Sequence, residues 1–128
     1  MSHSPPPARR RFGKEKRVRL QRDFRRVYAA KHYAADDTLV INGCENQLPT
    51  GSTRLGLSVS RAVGNATIRN RWKRWIREAF RLAYGELPCG FDFVVRPKRG
   101  ANGGFAAIRS SLPRLTQRVA RRIRKAAP

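Results

Sequence analysis

Apolar positions along the chain follow two periods, one of three to four residues and one of two, and the switches between them mark six elements. From Leu20 they fall at Phe24, Val27 and Tyr28, the spacing of a short amphipathic helix that ends near Ala30 and carries Arg22, Arg25 and Arg26 on its other face. Thr38-Leu39-Val40-Ile41 is β-branched and apolar, and after the turn-rich residues 46–52 the segment 54–60 alternates polar with apolar. Two strands joined by a long turn are expected. Gly64-Asn65 opens a second helix, with Asn65 as N-cap, that runs to Tyr84 and stops at a left-handed Gly85. Phe91-Asp92-Phe93-Val94-Val95 reads as a third strand. After Asn102-Gly103-Gly104, the stripe Ile108, Leu112, Leu115, Val119 and Ile123 predicts a last helix, which Pro113 should kink or split. The α-β-β-α-β-α order, without internal repeat, predicts an α+β sandwich of helices on a small sheet.

A helical projection divides the central helix sharply. Ile68, Trp72, Trp75, Ile76, Ala79, Phe80, Leu82 and Ala83 cover an arc of roughly 160° and are the expected core face. The opposite arc holds Asn70, Arg71, Lys73, Arg74, Arg77 and Arg81, with Arg69 near the boundary and Glu78 as its one acid. Like charges at i, i+3 and i+4 repel by a few tenths of a kcal/mol each, so such a face points to an anionic ligand. Arginine suits phosphate because its planar fork donates bidentately, and lysine adds a mobile point charge. Asn70 offers a neutral donor and acceptor for a sugar hydroxyl or a base edge. Arg61 precedes the helix and, with the N-terminal backbone N–H groups, could grip a phosphate.

Composition extends this reading to the whole chain. Its 128 residues make one domain, and 29 Lys and Arg against 8 Asp and Glu give a formal charge of +21. A polyanion is the implied partner: RNA, DNA or an anionic membrane. The membrane is weakest, since no stretch approaches the roughly 20 apolar residues of a spanning helix and the N-terminus has no apolar signal core. Residues 1–11 contain Pro5-Pro6-Pro7 and Arg9-Arg10-Arg11 and read as a disordered basic arm, leaving residues 12–125 as the domain. Sequence-specific DNA binding is disfavoured because the central helix lacks a partner joined by the short turn of a helix-turn-helix. No obligate protein partner is evident.

The residues offer no catalytic group and no metal site. Two-metal phosphodiester hydrolysis needs clustered carboxylates, whereas Glu15, Asp23, Asp36, Asp37, Glu45, Glu78, Glu86 and Asp92 are scattered, and Asp36-Asp37 belongs to an expected turn. His3 and His32 form no acid–base arrangement. Cys44 and Cys89 lack zinc spacing and read as buried or idle thiols in a reducing compartment.

The ordered run Ser60-Arg61-Ala62-Val63-Gly64-Asn65-Ala66-Thr67-Ile68-Arg69-Asn70-Arg71-Trp72-Lys73-Arg74-Trp75-Ile76-Arg77-Glu78 closely resembles the signature of the bacterial ribonuclease P protein component. The resemblance extends to Phe12-Gly13-Lys14-Glu15-Lys16-Arg17-Val18, to Phe24 and Tyr28, and to Glu86-Leu87-Pro88 with the strand that follows. It implies a cytoplasmic protein that joins a large catalytic RNA and assists endonucleolytic removal of the 5′ leader from precursor tRNA. Mg2+ would then be bound chiefly by the RNA. The implied fold is a two-layer α/β sandwich with three helices, a mixed sheet of about four strands and a left-handed β-α-β crossover, similar to the second domain of a small-subunit ribosomal protein. Carried over by motif, Arg69, Asn70, Arg71, Lys73, Arg74 and Arg77 would face the catalytic RNA, with Arg61 and Asn65 beside them. Arg17, Phe24 and Tyr28 would line a cleft for the single-stranded leader, where stacking tolerates variable sequence. A structural RNA-binding protein of ribosomal type would share the charge and fold without an interest in the leader. Gly13 stands where the family usually has proline, and Trp72 and Trp75 replace aliphatic residues, so a wider core contact is expected.

Overall fold

A computed structural model describes residues 13–127. The basic arm expected over residues 1–11, with His3, and the Phe12 that opens the resemblance lie outside these described residues. The elements are α1 (Gln21–Ala29), β1 (Tyr33–Ala35), β2 (Leu39–Glu45), β3 (Arg54–Leu57), α2 (Ala66–Ala83), β4 (Phe91–Pro97) and α3 (Phe105–Ala126). The four strands form one mixed sheet in the order β1-β2-β4-β3, with β4 antiparallel to β2 and parallel to β3. A parallel pair needs a crossover connection, and α2 supplies it between β3 and β4.

The two sheet faces are covered unequally. On one, Leu39, Ile41, Leu55, Phe93 and Val95 are buried under α2 and α3, forming the main core with Ile76, Phe80, Leu112 and Val119. On the other, α1 packs, closing Val27 over Cys44 and Val94 with Phe24 half-buried beside them, and Val18 joins Phe24 against Gly56. Fully burying one such aliphatic side chain stabilises by about 1.5–3 kcal/mol, so most of the fold's cohesion lies on the two-helix side.

Several expectations change in detail. The edge strand β1 was invisible in the pattern because it has only three residues, Tyr33-Ala34-Ala35, held by pairing with β2. α1 ends where Lys31 takes a positive φ of 61° and donates its N–H to Tyr28 at 3.2 Å. Gly85 is not a left-handed stop: α2 passes directly into a 3-10 turn, Tyr84–Glu86, anchored where the Thr53 N–H donates to the Tyr84 hydroxyl at 3.1 Å. Pro113 does not split α3, which runs 22 residues through it. Proline in a helix interior costs about 3 kcal/mol, but buried side chains on both sides of it, Ile108 and Leu112 before and Leu115 and Val119 after, rest on the same core. Ile68 and Leu82, assigned to the core face of α2, are exposed at 38% and 40% because they sit at the margins of the buried arc.

The two tryptophans pack against each other and against the loop before α3. Trp72 is buried and meets Trp75 edge-to-face, with ring centroids 5.8 Å apart. The β4–α3 loop closes over both: Gly103 has φ +85°, and a Cβ there would stand 2.8 Å from each indole. Only glycine meets the backbone and the packing requirements together.

Candidate nucleic-acid interface

The basic face of α2 begins at a firm N-terminus. Asn65 caps the helix, its side chain accepting from the Ile68 N–H at 3.0 Å, as expected from the sequence. Arg61 is exposed in the 3-10 turn Arg61–Val63 just before it. Arg69 folds back, donating to the Gly64 carbonyl at 3.2 Å, and Arg81 pairs with Glu78 one turn earlier. The side chains of Arg61, Asn70, Arg71, Lys73, Arg74 and Arg77 have no hydrogen bond or ion pair among the described residues. All but the half-buried Lys73 are exposed. The predicted face is therefore assembled on one helix and the turn before it, with the charges of Arg61, Arg71, Lys73, Arg74 and Arg77 uncommitted and those of Arg69 and Arg81 engaged within the fold.

Arg17, Phe24 and Tyr28 lie on the sheet's other side, with Arg17 and Tyr28 lining different recesses. The Val18 N–H donates to the Leu55 carbonyl at 2.9 Å, fixing the backbone beside Arg17 along the β3 edge. Arg17 borders a recess shared with Arg19, Leu20 and Asp23 at the start of α1. Phe24 lies across Gly56, where a Cβ would stand 3.0 Å from the ring. It is a packing residue as well as a candidate contact. Tyr28 is 38% exposed and opens into a long groove with Tyr33, Val40, Ser58 and Arg96, beyond the end of α1. That groove reaches Ser60, Val63 and Trp72 at the beginning of α2, so the two sides of the molecule communicate around one edge.

A feature the sequence reading missed pins α1 to the sheet. Asp92, fully buried in β4, accepts from Arg54 Nε at 2.8 Å and Nη2 at 2.6 Å, from Arg26 Nη2 at 2.5 Å and from Asn46 Nδ2 at 3.2 Å. Arg26, placed by periodicity on the solvent face of α1, is instead turned inward, and its Nη1 lies 2.8 Å from Cys44 Sγ. The signal available was one acid inside the otherwise apolar run from Phe91 to Val95. Burial pushes the Asp92 carboxyl up, but the hydrogen bonds from Arg54, Asn46 and Arg26 outweigh it and hold the group below its ordinary value. Asp36 behaves alike: burial raises it, while Ser111, the Leu39 and Thr38 N–H groups and Arg114 bring it below normal. A depressed folded-state pKa stabilises fully above the unfolded value near 4 and ceases to do so as pH falls through the folded one. We expect stability to drop as pH falls below about 4, and Asp92→Asn to flatten that dependence in acid-titrated chemical unfolding; an unchanged profile would contradict the pairing.

The remaining chemistry is sparse. Five of the eight acids, Asp23, Asp36, Glu78, Glu86 and Asp92, are paired with arginines. No group of three His, Cys, Asp or Glu able to hold a metal exists among the described residues. Cys44 is buried, its thiol pushed up by that burial, and Cys89 is exposed; neither forms a disulfide. No described helix is long and apolar enough to cross a membrane.

Residues 12–126 match the family model for Ribonuclease P. Among similar proteins are the ribonuclease P protein components of Thermotoga maritima, 35% identical over 84% of this chain and 95% of the relative, and of Clostridium acetobutylicum, 36% identical over 80% and 87%. The solved RNase P protein of T. maritima superposes with a TM-score of 0.72 at 36% identity, over 80% of this chain and 96% of that one. That of Staphylococcus aureus gives 0.70 at 32%, over 82% and 94%.

Proposed function

Because this chain belongs to the ribonuclease P protein family, acting with the catalytic RNA in tRNA 5′ processing, we propose that its two charged surfaces divide the work. The exposed face of α2, with Arg61, Asn65, Arg69, Asn70, Arg71, Lys73, Arg74 and Arg77, docks on the catalytic RNA. The α1 side, with Arg17, Phe24 and Tyr28, holds the single-stranded leader of precursor tRNA. The observation that carries this reading is the row of uncommitted cations on α2, set on a helix whose opposite side is locked into the core.

Five of the eight acids are committed to arginine pairs, and no His, Cys, Asp or Glu cluster among the described residues fits a resident metal; Mg2+ is assigned to the RNA, as family membership suggests. What the protein contributes is charge neutralisation and substrate grip. Arg71, Lys73, Arg74 and Arg77 neutralise phosphates that would otherwise repel the substrate's own, which lessens the magnesium demand of the RNA. The site of action is the cytoplasm. If about six phosphates are neutralised, log affinity for the catalytic RNA should fall against log salt with a slope near −5, from about 0.7–0.9 per contact; titration across salt concentrations would return a flat line were the face idle.

Leader recognition is tested by comparing affinities of the assembled complex for precursor and mature tRNA. Tyr28→Ala should reduce preference for the precursor by roughly fivefold or more, as expected when a stacking contact of about 1–3 kcal/mol is lost. Tyr28 is the cleaner probe, because Phe24→Ala also empties packing over Gly56. A preference equal to that of the parent would remove Tyr28 from the leader site. If parent protein bound both tRNAs equally, the ribosomal-type reading would be favoured instead.

A further inference from the structure

α3 is more basic than the helix that carries the family signature. Its 22 residues hold seven cations and no acid, against six cations and one acid in α2. Four of the seven are engaged in holding the fold. Arg109 pairs with Glu86 and Arg114 with Asp36, each at 2.6 Å; Arg122 donates to the Tyr33 carbonyl; Arg124 lies over the Phe91 ring. Arg118, Arg121 and Lys125 have no such partner among the described residues. At 100° per residue, these three and Arg114 fall within an arc of about 60°, away from the buried line through Leu112, Leu115, Val119 and Ile123. Arg118 to Lys125 spans about 10 Å of helix.

Resting on the docking role given to α2, we infer that Arg118, Arg121 and Lys125 form a second contact for the phosphate backbone of the catalytic RNA. α2 and α3 pack side by side on the same sheet face, so their outward sides both point away from the sheet, opposite the side on which α1 packs. An RNA seated on α2 therefore meets α3 next, whereas a leader on the α1 side does not. Arginines with acids in reach are paired, and the unpaired ones are lined up. A helix needing charge only for solubility has no reason to exclude every acid, since each unscreened like-charge neighbour on it is destabilising.

The test uses the full chain with the catalytic RNA and precursor tRNA. Replacing Arg118, Arg121 and Lys125 together with glutamine should weaken catalytic-RNA affinity on the order of tenfold and make the salt slope shallower by about 2–3, the loss of three backbone contacts. The precursor-to-mature preference of the assembled complex should be unchanged. Glutamine keeps helix propensity, and Arg121→Gln alone should move both readouts by a smaller amount in the same direction. Parent-like affinity and slope in the triple variant would overturn the inference, as would an effect confined to leader preference. Arg74→Gln with Arg77→Gln, measured alongside, separates the two ideas: if it weakens binding while the triple variant does not, only the α3 contact fails; if neither matters, the docking reading fails too.

Discussion

Arg77→Ala is expected to weaken association with the catalytic RNA by roughly ten- to a hundredfold, the equivalent of one charge-assisted hydrogen bond at about 1.5–3 kcal/mol. Arg77 is exposed, its side chain has no partner among the described residues, and it lies outside the arc through the buried Trp72, Ile76 and Ala79. Removing it disturbs no internal contact, so thermal stability should stay within about 0.5 kcal/mol of the parent, as for other surface changes away from special features. Arg81→Ala makes the instructive comparison. Its guanidinium is already paired with Glu78, so less of its charge is available to RNA and the loss should be smaller. Binding measured by filter retention at two salt concentrations checks both, and equal losses for Arg77 and Arg81 would mean that the internal pairing does not matter in the complex.

Asp92→Ala should produce the largest loss of stability, about 3 kcal/mol. Deleting one member of a buried ion pair strands its partners, which typically costs about 3–5 kcal/mol. The lower end applies here, because the Arg26 side chain is 39% exposed and can regain water. Arg54, at 18%, cannot recover as much. The effect should fall on the α1 side of the sheet, so amide exchange in α1 should accelerate before exchange in α2 or α3. Chemical unfolding with hydrogen exchange distinguishes this from uniform weakening, and protection unchanged in α1 would show that the charge cluster does not hold the helix.

Much of the fold was legible because amphipathic periods are long in this chain. α1 and α2 were placed to within a residue or two from their apolar spacing, and α3 was located by the stripe Ile108 to Ile123, though not as one continuous helix. β1 was not legible: three residues carry no period, and its stability comes from pairing with β2. The N-cap at Asn65 could be read locally, whereas the way α2 ends, in a 3-10 turn rather than a left-handed Gly85, could not, because Tyr84 is held by a hydrogen bond to Thr53, 31 residues away. The persistence of α3 through Pro113 has the same character, a tertiary core outweighing a local breaker.

The candidate site divides along the same line. The α2 face was legible because a helix places charges by spacing alone. Arg26 was misplaced because its position is decided by Asp92, which is 66 residues distant and hidden in an apolar strand. The charge of α3 was present in the sequence throughout, but its meaning depends on which arginines find acids, and that is a property of the fold. Arg114 and Arg121 look alike on a projection; only the packing of Asp36 makes one structural and leaves the other available.

The central claim is that the chain docks through α2 and leaves the chemistry to RNA. Its most direct test is cleavage of precursor tRNA by the catalytic RNA at a magnesium concentration too low for the RNA alone. Parent protein should restore cleavage, protein without RNA should give none, and the variant with Arg74→Gln and Arg77→Gln should need a much higher concentration to reach the same maximal rate. Stimulation by that variant at parent concentrations, or cleavage by the protein alone, would contradict the account.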